Sequence, residues 1–95
     1  MEVTMIWNYE VGRIYRTDDK GKVLSETNYS HKDNGIVEIE RVYVAPELRG
    51  KGAAHETMTV VADYLRKEGL KATATCSYAQ AWLQKNKEQY SDILA

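Results

Sequence analysis

The chain has 95 residues, among them one cysteine, one proline and no phenylalanine. A single cysteine excludes an internal disulfide and a zinc site with several thiolate ligands, and it suits a reducing compartment. No apolar run approaches the roughly 20 residues that a membrane-spanning helix needs. Residues 1–13 contain an early acid and lack a basic segment and a long apolar run, so a signal peptide is not expected. These absences predict a cytoplasmic location.

Charge of one sign is also lacking, because 13 basic and 14 acidic side chains give a net charge of −1 at pH 7. No overall field draws the molecule to nucleic acid or to a membrane, so neither is expected as a partner. His31 and His55 stand far apart without companion ligands, so no metal site is expected. The length fits one globular domain over residues 1–95, and a monomer and a weak dimer both stay open.

The first half of the sequence alternates β-branched or aromatic residues with polar ones, which predicts strands. Turn sequences separate the strands at residues 18–21 and 32–35, and the second turn carries the Asn-Gly pair that is typical of hairpins. We therefore expect an antiparallel three-stranded meander, preceded over residues 1–8 by a loose arm or a short edge strand. The three strands cover residues 10–18, 22–31 and 36–44.

The alternation breaks within the third of these strands. Val37 and Ile39 share one face, whereas strict alternation puts Val42 and Val44 on the other. Both faces are buried, or an extra residue near Glu40 and Arg41 shifts the phase as a β-bulge does. The residues alone leave both interpretations open.

Helical spacing replaces alternation after Pro46. A helix that Gly69 terminates is predicted from its apolar stripe, which consists of Ala54, Met58, Val61, Ala62 and Leu65. A strand over residues 70–76 follows it. A strand–helix–strand unit is a crossover, so we expect this strand to lie parallel to the strand of residues 36–44. The predicted fold class is α+β.

A second helix is predicted over residues 77–86. Ser77 is suited to cap its first turn, and its apolar stripe contains Tyr78, Ala81 and Trp82. The last residues contain an apolar pair that we expect to pack back onto the domain.

Residues 49–54, RGKGAA, lead into the first helix. Their two glycines and two alanines leave the backbone there largely uncovered by side chains. The first N–H groups of a helix lack intrahelical partners and carry positive partial charge, so this turn is suited to hold a phosphate or pyrophosphate. Arg49 and Lys51 add formal charge. The ATP-type and dinucleotide-type glycine patterns both fail at residues 53–55. The alternative is a glycine-softened loop with incidental charge.

The stretch VYVAPELRGKGAA resembles the acetyl-CoA-binding motif of the GNAT N-acetyltransferase superfamily, in which R-x-x-G-x-G/A opens a helix. Arg49, Gly52 and Ala54 occupy its defining positions, and Val44 and Pro46 match the approach to it. With the later stretch Thr75–Tyr78, the chain looks like the small YjdJ-like branch of that superfamily. The resemblance covers roughly residues 10–90.

The resemblance implies a minimal GNAT-like fold in which acetyl-CoA is the cosubstrate and no metal takes part. Strands 36–44 and 70–76 would splay apart around the pantetheine arm, and a bulge would precede the motif. A backbone group near Val42 would face the thioester. The implied cofactor-binding residues are Val42, Val44, Arg49, Gly50, Lys51, Gly52, Ala53 and Ala54.

Three departures from the superfamily pattern bear on activity. The chain has no room for the N-terminal helices that enclose the acceptor site in larger members. The tyrosine that serves many members as general acid falls here at Leu83, and Arg41 stands where the branch often has histidine. Two functions therefore follow: an N-acetyltransferase for an unidentified amine or, alternatively, a non-catalytic acyl-CoA-binding or interaction module.

Amine acetylation needs a base for the ammonium proton and an acid for the leaving thiolate. Glu40 is our preferred base, with Glu38 beside it, and a solvated strand face is the alternative for both. Tyr78 is a candidate acid or else a core tyrosine. Cys76 follows the last strand beside a helix N-terminus, where it is a candidate nucleophile or an inert residue that packs or lines the channel.

Overall fold

Five strands form one mixed sheet in the order β1-β2-β3-β4-β5 in the computed structural model, which describes residues 6–95. Strands β1 to β4 are antiparallel neighbours, and β5 lies parallel to β4. The strands are β1 (Ile6–Glu10), β2 (Arg13–Thr17), β3 (Val23–His31), β4 (Ile36–Val44) and β5 (Lys71–Ala74). The helices are α1 (Ala53–Glu68) and α2 (Ser77–Lys85), with 3₁₀ turns at Asp33–Gly35, Pro46–Leu48 and Ser91–Ile93. The predicted α+β class and the crossover are confirmed.

The meander has one strand more than predicted. The expected first strand, residues 10–18, is the end of β1 and the whole of β2, and a turn at Val11 and Gly12 separates them. This turn was missed because it lacks the Asn-Gly or Asp-Gly pair that announces a hairpin. Residues 6–8 of the predicted arm or short edge strand, together with Tyr9 and Glu10, form the edge strand β1, and residues 1–5 lie outside the described residues.

The turn between β3 and β4 has the predicted chemistry. Asn34 and Gly35 adopt φ angles of 63° and 72°, and the Lys32 N–H donates to the Ile36 carbonyl at 2.7 Å. Positive φ at consecutive positions is what favours Asn-Gly there. This turn sets the register of β3 and β4 from the His31–Val37 pair as far as the Tyr29–Ile39 pair.

A single apolar core lies between one face of the sheet and both helices. Val37 and Ile39 of β4 have no exposed surface, and on α1 the predicted stripe is buried apart from Ala54, which is half-buried. Gly69, with φ of 70°, ends α1 as predicted, and the Leu70 N–H reaches back to the Leu65 carbonyl at 2.8 Å. Burial of α1 against β3 and β4 fixes the position of its N-terminus relative to β4.

The second helix is rotated relative to the prediction. Cys76, not Ser77, is the N-cap residue, and no side chain of the described residues caps it. The buried residues are Ala79, Trp82 and Leu83, so the predicted stripe holds only for Trp82 because Tyr78 and Ala81 are exposed. The frame of α2 follows from where β5 ends, not from the capping preference of Ser77.

The C-terminal residues pack back on the domain as predicted. Ile93 is buried, Leu94 forms a bridge with Ala72, and the Ala95 N–H donates to the Ala72 carbonyl at 3.1 Å. Arg66 of α1 holds Asp92 through two hydrogen bonds of 2.6 and 2.9 Å. Among residues 6–95, no helix is long and apolar enough to cross a membrane.

Gly12 gives a test of the added hairpin. It has φ of 77°, and a Cβ there would lie 2.8 Å from the Tyr29 carbonyl oxygen. We expect Gly12→Ala to lower the free energy of unfolding by about 2–3 kcal/mol, as backbone strain and a backbone clash add. Urea denaturation measures it. Gly21→Ala is the control, because Gly21 has φ of 83° with open space around it, and we expect about 1 kcal/mol there. Equal losses in the two variants would contradict the packing of this turn on β3.

Candidate functional site

Strand β4 contains the predicted bulge. Asn28 of β3 faces Arg41, whereas the next residue, Tyr29, faces Ile39, so Glu40 has no partner in the ladder. An extra residue reverses the phase of the side chains that follow it. This explains the break in alternation and excludes a strand that buries both faces.

The bulge puts Val42 and Val44 on the same face as Val37 and Ile39. Val42 pairs with Thr27 and Val44 with Ser25, and both of these β3 residues are fully buried on the helix side. These four apolar side chains of β4 therefore face the helices.

The bulge also determines which backbone groups of β4 are available to a ligand. The Ala45 N–H donates to the Leu24 carbonyl at 2.8 Å, which makes Leu24 and Ala45 a hydrogen-bonded pair. Hydrogen-bonded and non-hydrogen-bonded pairs alternate in an antiparallel ladder. The N–H and C=O groups of Val42 and Val44 consequently point away from β3, toward the side where β5 begins.

Strand β5 does not cover that side. Its pairing with β4 runs only from Ile36–Lys71 to Ile39–Ala74. The N–H groups of Thr75 and Cys76 then both donate to the Ile39 carbonyl, at 2.9 and 3.2 Å, and the chain turns into α2. Within the described residues, β4 has no strand on its β5 side beyond Ile39, because β5 ends at Ala74. The predicted splay of the two strands around a ligand stays a prediction. An extended ligand can pair with the edge at Val42 and Val44.

The glycine-rich turn lies at the end of this open edge. Gly50 and Gly52 have φ angles of 79° and 77°, and a Cβ at either position would meet nothing within 4 Å. Their positive φ explains the two glycines, and the empty space leaves the backbone accessible. The turn is fixed to β4 by a hydrogen bond of 3.1 Å from Arg49 Nε to the Val44 carbonyl.

Helix α1 begins at this turn with free N–H groups. Its first internal hydrogen bond runs from the Glu56 N–H to the Gly52 carbonyl at 3.0 Å, and no side chain of residues 6–95 caps Gly52. The N–H groups of residues 52–55 are therefore free to face a ligand, whereas those of Arg49 and Lys51 donate to the Pro46 and Leu48 carbonyls, each at 3.3 Å. Lys51 and Gly52 are exposed, Ala54 is half-buried, and Ala53 packs inward. The structure brings the predicted residues 49–54 together with Val42 and Val44.

A buried arginine below α1 was not predicted. Arg16 of β2 is 3% exposed and forms an ion pair with Glu56 in the first turn of α1, while its guanidinium lies 5.2 Å from the centre of the Trp7 ring. The sequence could have indicated this, because Arg16 stands two residues after Ile14 on β2 and its side chain therefore lies on the same, inward face of the sheet. By neutralising Glu56, Arg16 keeps the charge near the glycine turn positive.

Two candidate catalytic residues adjoin Ile39, where the strands part. Glu40 is the bulge residue and is exposed, and Cys76 is half-buried with its N–H on the Ile39 carbonyl. The side chain of Cys76 packs against the apolar core. Glu38, by contrast, is held by Lys32 at 3.3 Å. No three His, Cys, Asp or Glu side chains in the described part of the chain are close enough to hold a metal ion.

Tyr78 is not a core tyrosine, because it is 40% exposed. It lines a cavity of about 280 Å³ together with His55 of α1, which is exposed as well. Partial burial raises the pKa of the Tyr78 phenol. A raised pKa keeps the hydroxyl protonated near neutral pH, as a proton donor requires. The position of the family's usual acid, Leu83, is buried in the core.

The face of the sheet opposite the helices carries ion pairs. Arg13 and Arg41 both contact Glu26, at 2.7 and 3.1 Å, and Arg41 also reaches Asn28 at 3.2 Å. Burial raises the pKa of Glu26, but hydrogen bonds from Arg13 and Asn28 outweigh burial and leave it lowered. Arg41, which stands next to the bulge, is thus part of a polar network over β2, β3 and β4.

Comparison with known proteins agrees with this geometry. The family model for GCN5-related N-acetyl-transferase matches residues 13–93. A GCN5-like protein from Staphylococcus aureus, solved by NMR, is 29% identical, with a TM-score of 0.76 over 95% of this chain and 87% of that one. No curated protein matches the chain at a significant level.

Two solved structures with bound CoA are more distant. A GNAT family N-acetyltransferase from Escherichia coli in complex with CoA is 24% identical, with a TM-score of 0.58 over 65% of this chain and 38% of that one. N-acetylglutamate synthase from Neisseria gonorrhoeae, complexed with coenzyme A and N-acetyl-glutamate, is 16% identical, with a TM-score of 0.63 over 79% and 18% of the two chains. This chain spans less than half of either protein.

The ion pair of Arg16 and Glu56 predicts a coupled effect on stability. We expect Glu56→Gln to lower the free energy of unfolding by about 1–2 kcal/mol, because a buried guanidinium loses a charged partner. The double variant Arg16→Met with Glu56→Gln should recover part of that loss. Glu68→Gln, on the exposed end of the same helix, is the control and should change stability by less than about 0.5 kcal/mol. Additive losses in chemical denaturation would count against the coupling.

Proposed function

Because the chain belongs to the GCN5-related N-acetyltransferase family, we propose that it transfers the acetyl group of acetyl-CoA to an amine. The observation that carries this proposal is the continuous path from the open edge of β4 to the glycine-rich turn. An edge on which only the Val44 carbonyl already has a partner, Arg49 Nε, ends here at a helix N-terminus, and each part suits one portion of the cosubstrate. A cytoplasmic location, where the single thiol stays reduced, is part of the proposal.

The proposed seat of the cosubstrate follows that path. The pyrophosphate binds the N–H groups of the turn with Arg49 and Lys51 as counter-charges. The amides of the pantetheine arm pair with β4 in the manner of an added strand. The thioester then lies near Val42, next to the bulge. The residues assigned to cofactor binding are Val42, Val44, Arg49, Gly50, Lys51, Gly52, Ala53 and Ala54.

Direct attack by the acceptor amine is the proposed reaction. Glu40, directly or through water, removes the ammonium proton, and the nitrogen lone pair then forms a bond to the acetyl carbon. A backbone N–H of β4 stabilises the negative charge that develops on the carbonyl oxygen. When the carbon–sulfur bond breaks, Tyr78 gives its proton to the thiolate, and the second proton that the nitrogen loses as the amide forms returns through water to the Tyr78 oxygen. Cys76 takes no part, because its side chain packs against the core.

One observation favours a second candidate function, a module that binds acyl-CoA without turnover. The buried Leu83 occupies the place where many GNAT members have their acid, and Tyr78 has to replace it from an earlier position on α2. The two candidates share the cofactor seat and differ only in chemistry. Activity measurements on the Tyr78 variant separate them.

Gly52 tests the cofactor seat. We expect wild-type protein to bind CoA and acetyl-CoA in calorimetry, and Gly52→Val to abolish binding because its side chain would fill the space beside the free N–H groups. Gly21→Val is the matched control, since Gly21 has a similar positive φ in a remote turn with open space. That variant should carry the same backbone strain and keep full affinity. Wild-type protein that binds neither ligand at millimolar concentration would refute the proposed function.

The chemical roles are tested by intact-mass analysis, which follows the gain of one acetyl group on candidate amines. We expect Glu40→Gln and Tyr78→Phe to lower the rate by about 10²-fold or more while CoA still binds. Cys76→Ala should retain most activity. Glu38→Gln, on the same strand and paired with Lys32, is the control for Glu40. An acetyl group trapped on Cys76 that then passes to an amine would reverse this assignment.

A further inference from the structure

A small cavity lies between the first turn of α1 and the helix α2, beside the proposed pyrophosphate seat. Its volume is about 280 Å³. Four lining residues, at positions 78, 81, 82 and 85, form one stripe along α2, and His55 contributes from α1 only three residues after Gly52. The lining residues are His55, Tyr78, Ala81, Trp82, Lys85 and Asn86.

The orientation of His55 is fixed by a neighbour. Trp82 Nε1–H donates to His55 Nδ1 at 2.8 Å. An indole nitrogen is only a donor, so Nδ1 must accept, and the proton of the neutral imidazole is on Nε2. Trp82 is itself 4% exposed and packs 5.2 Å from the ring centre of Tyr90. His55 is thereby held with a donor, not an acceptor, on its unbonded edge.

The remaining polar groups of the cavity are also suited to an anion. Lys85 contributes an ammonium group, whereas the Tyr78 hydroxyl has the role of thiolate acid in the proposed reaction and is not counted here. The NH₂ group of the Asn86 side chain donates to the Trp82 carbonyl at 2.8 Å. None of the six lining residues is a carboxylate. A cation and an imidazole N–H on one small cavity can recognise a compact, highly charged anion.

We propose that this cavity is the subsite for a phosphate monoester, the 3′-phosphate on the ribose of CoA. The assignment rests on the proposed function, because it is the proximity of the pyrophosphate seat that selects this phosphate. Lys85 and His55 Nε2–H bind its oxygens, and Trp82 is a positioning residue that presents His55. The volume admits a phosphate and part of a sugar but is smaller than a site for a whole nucleotide. The subsite distinguishes CoA from dephospho-CoA, which is otherwise identical.

The test compares CoA with dephospho-CoA by calorimetry on the whole chain. Wild-type protein should bind CoA about tenfold more tightly, as loss of charge-assisted hydrogen bonds predicts. Lys85→Gln and His55→Ala should each lose most of that preference, while their affinity for dephospho-CoA stays within about twofold of wild type. Lys87→Gln is the control, because it removes the same charge from a residue that does not line the cavity. It should keep the preference.

The outcomes separate this inference from the proposed function. Equal affinity of wild type for the two ligands, or an unchanged preference in both Lys85→Gln and His55→Ala, overturns the subsite and leaves the acetyl-CoA seat intact. Binding of neither ligand overturns both. Inorganic phosphate that binds wild type but not Lys85→Gln, combined with equal affinities for the two CoA forms, would assign the cavity to a free anion and overturn the assignment to the cofactor.

Discussion

The extra residue at Glu40 determines most of what this molecule presents to a ligand. Without it, Val42 would face the uncovered side of the sheet, and its backbone groups would be used by β3. With it, the valine side chains enter the core and the backbone groups of Val42 and Val44 face an open edge. Core packing and ligand access are thus satisfied by one insertion. A strand of regular alternation cannot satisfy both at this position.

Two contacts connect the helices to the site from opposite sides. Arg16 of β2 forms an ion pair with Glu56 in the first turn of α1. The pairing offsets the negative charge of Glu56 close to the glycine-rich turn, which has to attract an anion. Trp82 comes from α2 and holds His55. The first turn of α1 therefore receives support from the sheet and from the other helix, in addition to its own burial. A site built of backbone N–H groups depends on such support, because backbone groups are only as well placed as the helix that carries them.

The sequence predicted the features that depend on local chemistry. The Asn-Gly turn, Gly69 and the phase break at Glu40 each leave a signature within a few residues, and the glycine turn does so as well. The hairpin at Gly12 was missed because the reason for a glycine there lies elsewhere in the sequence: a Cβ at Gly12 would clash with the Tyr29 carbonyl. The frame of α2 was missed because the hydrogen bonds of residues 75 and 76 to Ile39 outweigh the capping preference of Ser77. Arg16 was missed because an inward charge is explained only by its partner on another element.

The position of the open edge has a consequence for the behaviour of the protein in solution. Exposed strand edges are templates on which other chains add strands, and they promote aggregation. Here the unpaired part of β4 is confined to residues 40–44, beside the point at Ile39 where the chain leaves β5 and turns into α2. Short edges are one of the means by which proteins limit pairing with other chains. An edge of this length offers a few backbone groups to a small ligand and little for a long strand of another copy to pair with.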